Sequence, residues 1–420
     1  MKRKTAFLLL FLCGLLSFAS ATVFENLDFS GSLKTEAGVG LWYTDYSGDF
    51  TAGSLTAQGE LKGYFGNSNI FVDGRLIFYA IDFSSDNPEI FSAKIKEAWY
   101  LYDGSWWSIK IGRQISTWGA ADGLTVTNVL CPTDYTVFSS EKITDQKIGI
   151  DAVKLSFGNA VFLVDAYYIP FFTPSQLPLK EGTLMNKVFF EKLYESGIQF
   201  GKIEKPAVNL KNSEYALKAA FFLPFADFSL YGFYGFDDLP IEKVLPLGSN
   251  YYLFGEYKRI GMAGFDSSIP IKDFTLRLET AVLPEKYFAN YTESIYERHT
   301  EVSGIAGLDW MKDDWTVSAQ YFGDWISGRA KAIDRDKYEH SATLNVSRSF
   351  SGGNLEIGVS GVVGLNYLDS FIQPKIDYAF TDNIKFSLSA MLYNQGWSEK
   401  GNYGKYRDLS SVILSGKFSF

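Results

Sequence analysis

Apolar and polar residues alternate with a period of two along much of this chain. In 384–392 every even position is apolar, and Lys385, Ser387 and Ser389 lie between them. The same alternation occurs in 55–63, 72–79 and 274–279. This is the period of a β-strand that has one apolar and one polar face. We count about 18 such runs by the strand and turn rules, among them one that begins near Tyr251, so the pattern predicts an all-β protein.

The connections between the runs alternate between short and long. Short ones carry turn residues that tolerate positive φ, as in 66–68, 103–105, 158–159, 312–314, 351–353 and 381–383. The long ones are predicted at 44–53, 83–92, 114–149, 170–213, 237–250, 284–299, 326–337 and 395–408. Short turns at one end and long loops at the other are typical of a transmembrane antiparallel up-and-down β-barrel. We therefore predict such a barrel, with about 18 strands (16 is the alternative count) and both chain ends on one side.

Three features favour this barrel over a soluble sandwich or propeller. The runs reach about ten residues, the length of a tilted membrane strand. No internal repeat is detectable, and aromatic residues often stand at the ends of runs, as Trp106, Trp107, Trp310 and Trp315 do. The last run alternates and ends at Phe420, which resembles the C-terminal signal of barrels that the outer-membrane assembly machinery inserts.

The first 21 residues have the composition of an export signal. Lys2, Arg3 and Lys4 precede an apolar stretch, and Ala19-Ser20-Ala21 is a cleavage pattern. We expect a mature domain at 22–420 that forms one barrel. Removal of 1–21 also removes Cys13 and leaves Cys131 without a disulfide partner.

Composition excludes several classes of protein. The chain has two cysteines, two histidines and a formal charge of −9, with 17% aromatic residues. Histidine and cysteine are too few for a zinc site, and the negative charge disfavours broad nucleic-acid binding. We expect no cofactor, no metal and no catalytic residues, because neither His299 nor His340 has a serine neighbour on the same strand face.

Charged residues in the alternating runs identify candidate lumen positions. A charge that faced lipid at the membrane centre would cost about 2–4 kcal/mol, so the charged face of each run should face water. An 18-stranded barrel is wide enough to hold water. The candidate pore residues on strands are Lys62, Arg75, Lys110, Arg277 and Glu279.

The segment 114–149 is the candidate constriction loop. It follows the fifth run, the position from which a loop folds into the barrel in general porins. Pro132 and several glycines suit a folded loop. Its candidate constriction residues are Arg113, Gln114, Trp118, Asp122, Asp134 and Tyr135. The alternative is that Arg113 pairs with Asp122 or Asp134 and only holds the loop folded.

A motif in this loop resembles a known family. Gly112-Arg113-Gln114, Trp118-Gly119, Asp122, Asn128 and Pro132-x-Asp134-Tyr135 are similar to the signature of porin-like outer-membrane proteins related to the alginate-export barrels. Cys131 stands where that signature has asparagine. The resemblance implies an outer-membrane β-barrel channel and names no solute.

The segment 170–213 is the second long loop. Within it, 183–196 places Leu184 and Val188 on one helical face and predicts a short amphipathic helix. Such a helix could plug the mouth, cap the outside or rest against the membrane; the alternative is a helix that belongs only to a surface loop.

These expectations favour a porin for passive diffusion of small solutes across the outer membrane. A transporter that binds hydrophobic compounds, or an outer-membrane adhesin, is the alternative. The expected partners are outer-membrane lipid and lipopolysaccharide, the assembly machinery through Phe420, and a small solute; oligomers are compatible with the sequence.

Overall fold

The computed structural model describes residues 26–79, 91–121, 123–136, 143–181, 183–290, 294–328, 333 and 335–420. The predicted export signal and Asp122 lie outside these residues. The strands of the main sheet are β1 (Leu27–Gly40), β2 (Phe50–Phe65), β3 (Ser68–Tyr79), β4 (Phe91–Asp103), β5 (Trp107–Gln114), β6 (Ile150–Gly158), β7 (Phe162–Ile169), β9 (Glu214–Leu223), β10 (Ala226–Phe236), β13 (Arg259–Ile271), β14 (Phe274–Asn290), β15 (Ile295–Lys312), β16 (Trp315–Ile326), β17 (Tyr338–Phe350), β18 (Leu355–Gly364), β19 (Asp369–Ala379), β20 (Ile384–Asn394) and β21 (Ser411–Ser419).

These 18 strands form one closed antiparallel barrel. Each strand pairs with the next one of the sheet, and β1 pairs with β21 from Ser32↔Ser419 to Gly40↔Ser411. The predicted fold class and the strand count of 18 are therefore confirmed. Among the described residues, no helix is long and apolar enough to cross a membrane.

The two ends of the barrel differ in their connections. Tight turns such as 66–67, 224–225, 272–273 and 313–314 join strands at the end that also holds Leu27 and Ser419. The opposite end carries the long connections, including those between β5 and β6 and between β7 and β9. In outer-membrane barrels the short turns face the periplasm, so we call the opposite end the outer end.

The outward face of the barrel is apolar and is bordered by aromatic residues. Leu230 on β10 is 50% exposed, between Phe225 in the turn below it and Tyr234 above it. Nine residues along a tilted strand rise about 23 Å, at about 3.3 Å per residue and a tilt of about 40°. This spacing matches the roughly 25 Å apolar band of a membrane barrel.

One predicted run belongs to a different sheet. The run near Tyr251 is strand β12 (Asn250–Glu256), which pairs with β11 (Ile241–Leu247) and β8 (Ile198–Glu204) in a separate three-stranded sheet at the outer end. The barrel strand of this region is β13, which follows it. Alternation identifies a strand but not the sheet in which it pairs. The assignment of this run to the barrel was therefore wrong, although the predicted number of 18 barrel strands was right.

The predicted loop 284–299 is mostly strand. β14 and β15 stay paired as far as Asn290↔Ile295, after a bulge between Leu283 and Lys286. Charged residues at 284–299 obscure the alternation, because this ribbon projects beyond the apolar band.

The segment 170–213 contains helix α1 (Leu184–Glu195). Thr183 caps its first turn, since the Asn186 amide donates to Thr183 Oγ1 at 3.3 Å. Gly197, with φ of 71°, ends it in the left-handed conformation that favours glycine.

Candidate channel constriction

The lumen face of the barrel is identified by register and burial. Tyr167, Ala216, Tyr231, Ile260 and Ala281 are all buried and occupy alternate positions of successive strands. Their neighbours in sequence face outward, as exposed Tyr215, Leu217 and Leu230 do. A sheet closed into a barrel buries its inner face only if something fills that part of the lumen.

The filling comes from the connection between β5 and β6, which we call the inward loop (115–149). The Ile115 amide donates to Glu97 Oε1 of β4 at 2.8 Å, and Ser116 Oγ lies 2.8 Å from the Tyr167 hydroxyl of β7. Both partners are on the lumen face. The loop therefore turns into the barrel immediately after Gln114.

Trp118 anchors the first part of this loop against the wall. Its side chain is 1% exposed, and its ring lies 4.8 Å from the ring of Tyr231 and 6.1 Å from that of Tyr167, centroid to centroid. Asn128 Oδ1 accepts a hydrogen bond from the Trp118 amide at 3.3 Å. Burial of a tryptophan among aromatic rings stabilises the loop on this side of the lumen.

Glu279 of β14 holds the middle of the loop. Its carboxylate accepts hydrogen bonds from the amides of Ala121 (3.2 Å), Val126 (2.6 Å) and Thr127 (2.7 Å) and from Thr127 Oγ1 (2.9 Å). Glu279 is 2% exposed. A carboxylate held by several amide donors forms strong, charge-assisted hydrogen bonds.

Arg277 reinforces this attachment. Its Nη1 donates to Ala120 O at 2.6 Å, and its Nε pairs with Asp309 of β15. Gly119 makes the close approach possible: its φ is 99°, and a Cβ there would lie 2.5 Å from Glu279 Oε2. The loop thus spans from β5 to β14 across the lumen.

The return of the loop is fixed near the outer end. Asp134 pairs with Lys94 Nζ of β4 at 2.6 Å. The Tyr135 amide donates to Gln176 O at 2.9 Å, and the Thr133 amide donates to Ser175 Oγ at 3.0 Å. The inward loop is therefore tied to the wall and to the segment that leads to helix α1.

Cys131 lies inside this loop and is 1% exposed. Its Sγ lies 3.2 Å from the Ser116 amide, which donates to it, and its carbonyl accepts from Lys147 Nζ at 2.8 Å. Burial raises the pKa of the Cys131 thiol to about 11. Burial also lowers the pKa of Lys147. The thiol is therefore a small apolar filler in a packed loop.

Helix α1 crosses above the inward loop. Leu184 and Met185 are buried together with Leu409, which lies in the connection between β20 and β21 on the far side of the barrel mouth. The Phe189 ring lies 6.0 Å from Tyr406 of that connection and 6.0 Å from Tyr135 of the inward loop. Of the three predicted positions for the helix, these contacts match a cap over the mouth.

The opposite wall remains lined by charged side chains. By register, β1 to β4 and β19 to β21 direct charged residues inward, among them Lys34, Glu60, Lys62, Asp73, Arg75, Lys375, Asp377, Lys385 and Lys417. Lys62 Nζ pairs with Glu60 at 3.4 Å. Arg75 lies near the carboxylate of Asp73. Lys62 and Arg75, two of the predicted pore residues, therefore face the space that the inward loop leaves open.

Lys110 occupies a different part of the lumen. Its Nζ lies 4.0 Å from the centroid of the Trp99 ring, and register places it beside Lys154 of β6. Lys110 is thus held by a cation–π contact on the β4–β6 wall.

Two residues assigned to the constriction have structural positions instead. Arg113 pairs with Asp151 Oδ2 of β6 at 2.8 Å, and alternation against buried Ala152 places this pair on the outward face. Its partner is Asp151 and not Asp134, and Asp122 lies outside the described residues. Gln114 is 1% exposed and donates to Ala152 O at 3.1 Å, so it closes the end of β5.

Several residues that hold the loop were not among the predicted site residues. Tyr231 accepts from the Gly119 amide at 3.3 Å, Thr127 is fully buried, and Glu97 holds Ile115. Tyr231 and Glu97 do occupy inward positions of alternating runs, but their partners depend on the path of the loop. Among the described residues, no group of three His, Cys, Asp or Glu side chains could hold a metal ion.

Comparison with solved structures supports the barrel fold. Acinetobacter baumannii OccAB2 superposes with a TM-score of 0.55 at 10% identity, covering 96% of this chain and 99% of that chain. Pseudomonas aeruginosa OccK8 (OprE) superposes with a TM-score of 0.57 at 8% identity, covering 94% of this chain and 98% of that chain. A. baumannii OccAB4 gives 0.56 at 11% identity, covering 94% and 98%. These are outer-membrane barrels of porin-like type. No protein-family model and no curated protein matches the sequence.

Proposed function

We propose that this protein is an outer-membrane channel for passive diffusion of small hydrophilic solutes, with the inward loop as its constriction. The observation that carries the proposal is the attachment of the loop to Glu279 across the lumen. A loop held in this way narrows the barrel without sealing it, because the opposite wall keeps its charged, water-compatible face.

The lumen chemistry favours a hydrophilic solute. Lys34, Lys62, Arg75, Asp377 and Lys385 line the open side, while the aromatic rings of the lumen pack against the inward loop. A transporter of hydrophobic compounds would need an apolar pocket with free surface. The rings of Tyr167 and Tyr231 instead pack against the ring of Trp118.

We propose that outer-membrane lipid, lipopolysaccharide and the assembly machinery are partners of this barrel, and that it has no catalytic role. Phe420 is 55% exposed at the inner end, and its amide donates to Gly31 O at 2.9 Å where the barrel closes. We propose that this terminal strand is the element recognised by the assembly machinery. A closer relation to the alginate-export barrels rests on the loop motif alone, and alginate oligomers are one anionic solute to test for.

The test is single-channel recording. The purified mature chain is inserted into planar bilayers under a salt gradient. Steady openings with ohmic current would support the channel, and the reversal potential would give its ion preference. A barrel that resists heat unfolding, inserts and stays silent would contradict the proposal.

A further inference from the structure

Three tyrosines form a row on the outward face near the outer end of the barrel. Register aligns Tyr168 of β7 with Tyr215 of β9, and Tyr215 with Tyr234 of β10. The rings of Tyr168 and Tyr215 lie 5.7 Å apart, and Tyr215 and Tyr234 are 52% and 54% exposed. Such a row marks the border between the apolar band and the polar headgroups.

Arg259 at the start of β13 extends this row with a positive charge. Register places it beside Phe236, and its guanidinium carbon lies 4.4 Å from the Phe236 ring and 5.1 Å from the Tyr234 ring. It donates to the carbonyls of Lys211 (3.0 Å) and Ser213 (3.2 Å). Both contacts are to neutral acceptors, so the charge is positioned but not neutralised.

Carboxylates are scarce around this guanidinium. Within the described part of the chain, no carboxylate forms a salt bridge with Arg259, Lys205 or Lys211. The carboxyl group of Glu214 interacts electrostatically with Arg259, but it lies on the lumen side of β9 and accepts a hydrogen bond from the Phe236 amide at 2.7 Å. Two other outward arginines are paired, Arg113 with Asp151 and Arg298 with Glu285, whereas Arg348 on β17 makes cation–π contacts with Trp315 and Phe350.

The segment just above the row presents two apolar side chains to the surroundings. Val208 is 83% exposed and Leu210 67% exposed. The backbone around them is fixed, because the Asn212 amide donates to Asn209 Oδ1 (3.2 Å) and Asn212 Nδ2 donates to Ala207 O (2.8 Å). An ordered segment that exposes valine and leucine between Lys205 and Lys211 suits the membrane surface better than water.

We propose that this rim patch (Tyr168, Val208, Leu210, Lys211, Tyr215, Tyr234 and Arg259) binds a phosphorylated glycolipid of the outer leaflet. Arg259 and Lys211 would hold its phosphate, since guanidinium and ammonium groups form charge-assisted hydrogen bonds with phosphate. The acyl chains would lie below the tyrosine row along the apolar band, and Val208 and Leu210 would contact the glycolipid beside its headgroup. The inference rests on the outer-membrane location of the barrel and not on its conductance.

The experiment measures glycolipid binding to the purified mature barrel by native mass spectrometry. The probe is diphosphorylated lipid A, compared with the same glycolipid without phosphates. We expect the phosphorylated form to bind at least tenfold more tightly. The double variant Arg259→Gln/Lys211→Gln should lose most of that difference, and Lys211→Gln alone should lose part of it without disturbing the wall.

The matched control is Lys202→Gln. Lys202 is a lysine of the same outer segment that pairs with Glu204 at 3.2 Å, and its replacement should leave binding within twofold of wild type. Single-channel conductance should be equal in all variants, which separates this proposal from the channel proposal. Equal binding of both glycolipids, or full binding by the double variant, would overturn it. So would a loss of dimers or trimers in the double variant with unchanged glycolipid binding, because the patch would then be a protein interface.

Discussion

Glu279 fixes the inward loop through Thr127. Its carboxylate accepts one hydrogen bond from the Thr127 amide at 2.7 Å and another from Thr127 Oγ1 at 2.9 Å. Thr127 is fully buried, and Glu279 is on the strand face opposite to lipid. This pair connects a loop that leaves β5 to a wall six strands further around the barrel.

Replacement of Glu279 should release the loop. Glu279→Ala removes the acceptor of four hydrogen bonds and leaves the buried Thr127 amide and the half-buried amides of Ala121 and Val126 without this partner, at a cost of about 1–3 kcal/mol for the buried amide. We expect larger and noisier single-channel conductance. Glu356→Gln is the control, because Glu356 is a barrel carboxylate on β18 that forms no hydrogen bond or ion pair with the described part of the loop. A Glu279 variant indistinguishable from it would contradict the assignment.

Cys131 provides an independent probe of the same loop. It is the last cysteine in the sequence and is buried, and its pKa is raised to about 11, so its thiol should react with maleimides very slowly in the folded barrel. Labelling should be complete after denaturation. In Glu279→Ala we expect the labelling rate to rise at least tenfold. Rapid labelling of the wild-type barrel would show that the loop is not packed as described.

The lysines of the open wall should set ion preference. Register aligns Lys385 with Lys417 and Lys417 with Lys34. Lys385 pairs with Asp377 at 3.0 Å and Lys34 with Glu36 at 3.1 Å. For Lys417 no carboxylate partner occurs among the described residues. Lys417→Glu should shift the reversal potential toward cation selectivity, as measured under a tenfold salt gradient.

A lysine away from the lumen serves as the comparison for this shift. Lys202→Glu changes the net charge equally but lies in the outer sheet. If both variants moved the reversal potential by the same amount, overall charge and not the lysine row would govern selectivity.

Helix α1 should depend on its contacts across the mouth. Leu184→Ala/Met185→Ala removes apolar volume packed against Leu409, at about 2–5 kcal/mol for each fully buried side chain. We expect trypsin to cleave after Lys187 at least tenfold faster than in wild type, as followed by gel and mass spectrometry. Glu195→Ala, at the exposed end of the helix, should not change the rate. Equal protection of the double variant would mean that other contacts hold the helix.

The outer sheet should be sensitive to pH. Burial raises the pKa of Glu242 on β11 to about 7, above its ordinary value of 4.5. The folded sheet therefore binds more protons than the unfolded segment between these values, so its stability is highest below about pH 4.5 and falls as the pH rises toward 7. Hydrogen exchange of β11 and β12, converted to opening free energies, should show this trend.

The matched variants distinguish Glu242 from its neighbours. Glu242→Gln should flatten the pH profile of the outer sheet. Glu256→Gln, which removes an acid that pairs with Lys258 at 2.9 Å on the adjacent strand, should retain the profile. A profile that stays steep in Glu242→Gln would assign the effect to another group, of which Asp238, whose pKa is raised by desolvation, is the first to test.

The barrel itself was predictable because its signal is local. Alternation in β2, β3, β14 and β20 specifies strands with one polar face, and short turns between them specify antiparallel neighbours. The exception was the run at Tyr251. It has the alternation of a barrel strand, but it pairs with the distant strand β8, and no local pattern reveals such a partner.

The site was predictable only in outline. The place and length of the inward loop follow from the sequence. Trp118 was among the candidate constriction residues, and Glu279 was among the candidate pore residues on strands. Glu279 lies more than 150 residues after Trp118 in the sequence. Local spacing therefore does not show that Glu279 binds the loop to which Trp118 belongs. Arg113 shows the reverse case, since its partner is Asp151 of the next strand, at 2.8 Å.

The most direct test of the account is the conductance of the mature barrel with and without residues 115–147, recorded in the same bilayers. The account predicts discrete openings for the intact chain and a severalfold larger conductance after deletion, because the loop occupies one side of the lumen. Equal conductance for the two forms, with both barrels resistant to heat unfolding, would contradict the claim that this loop is the constriction.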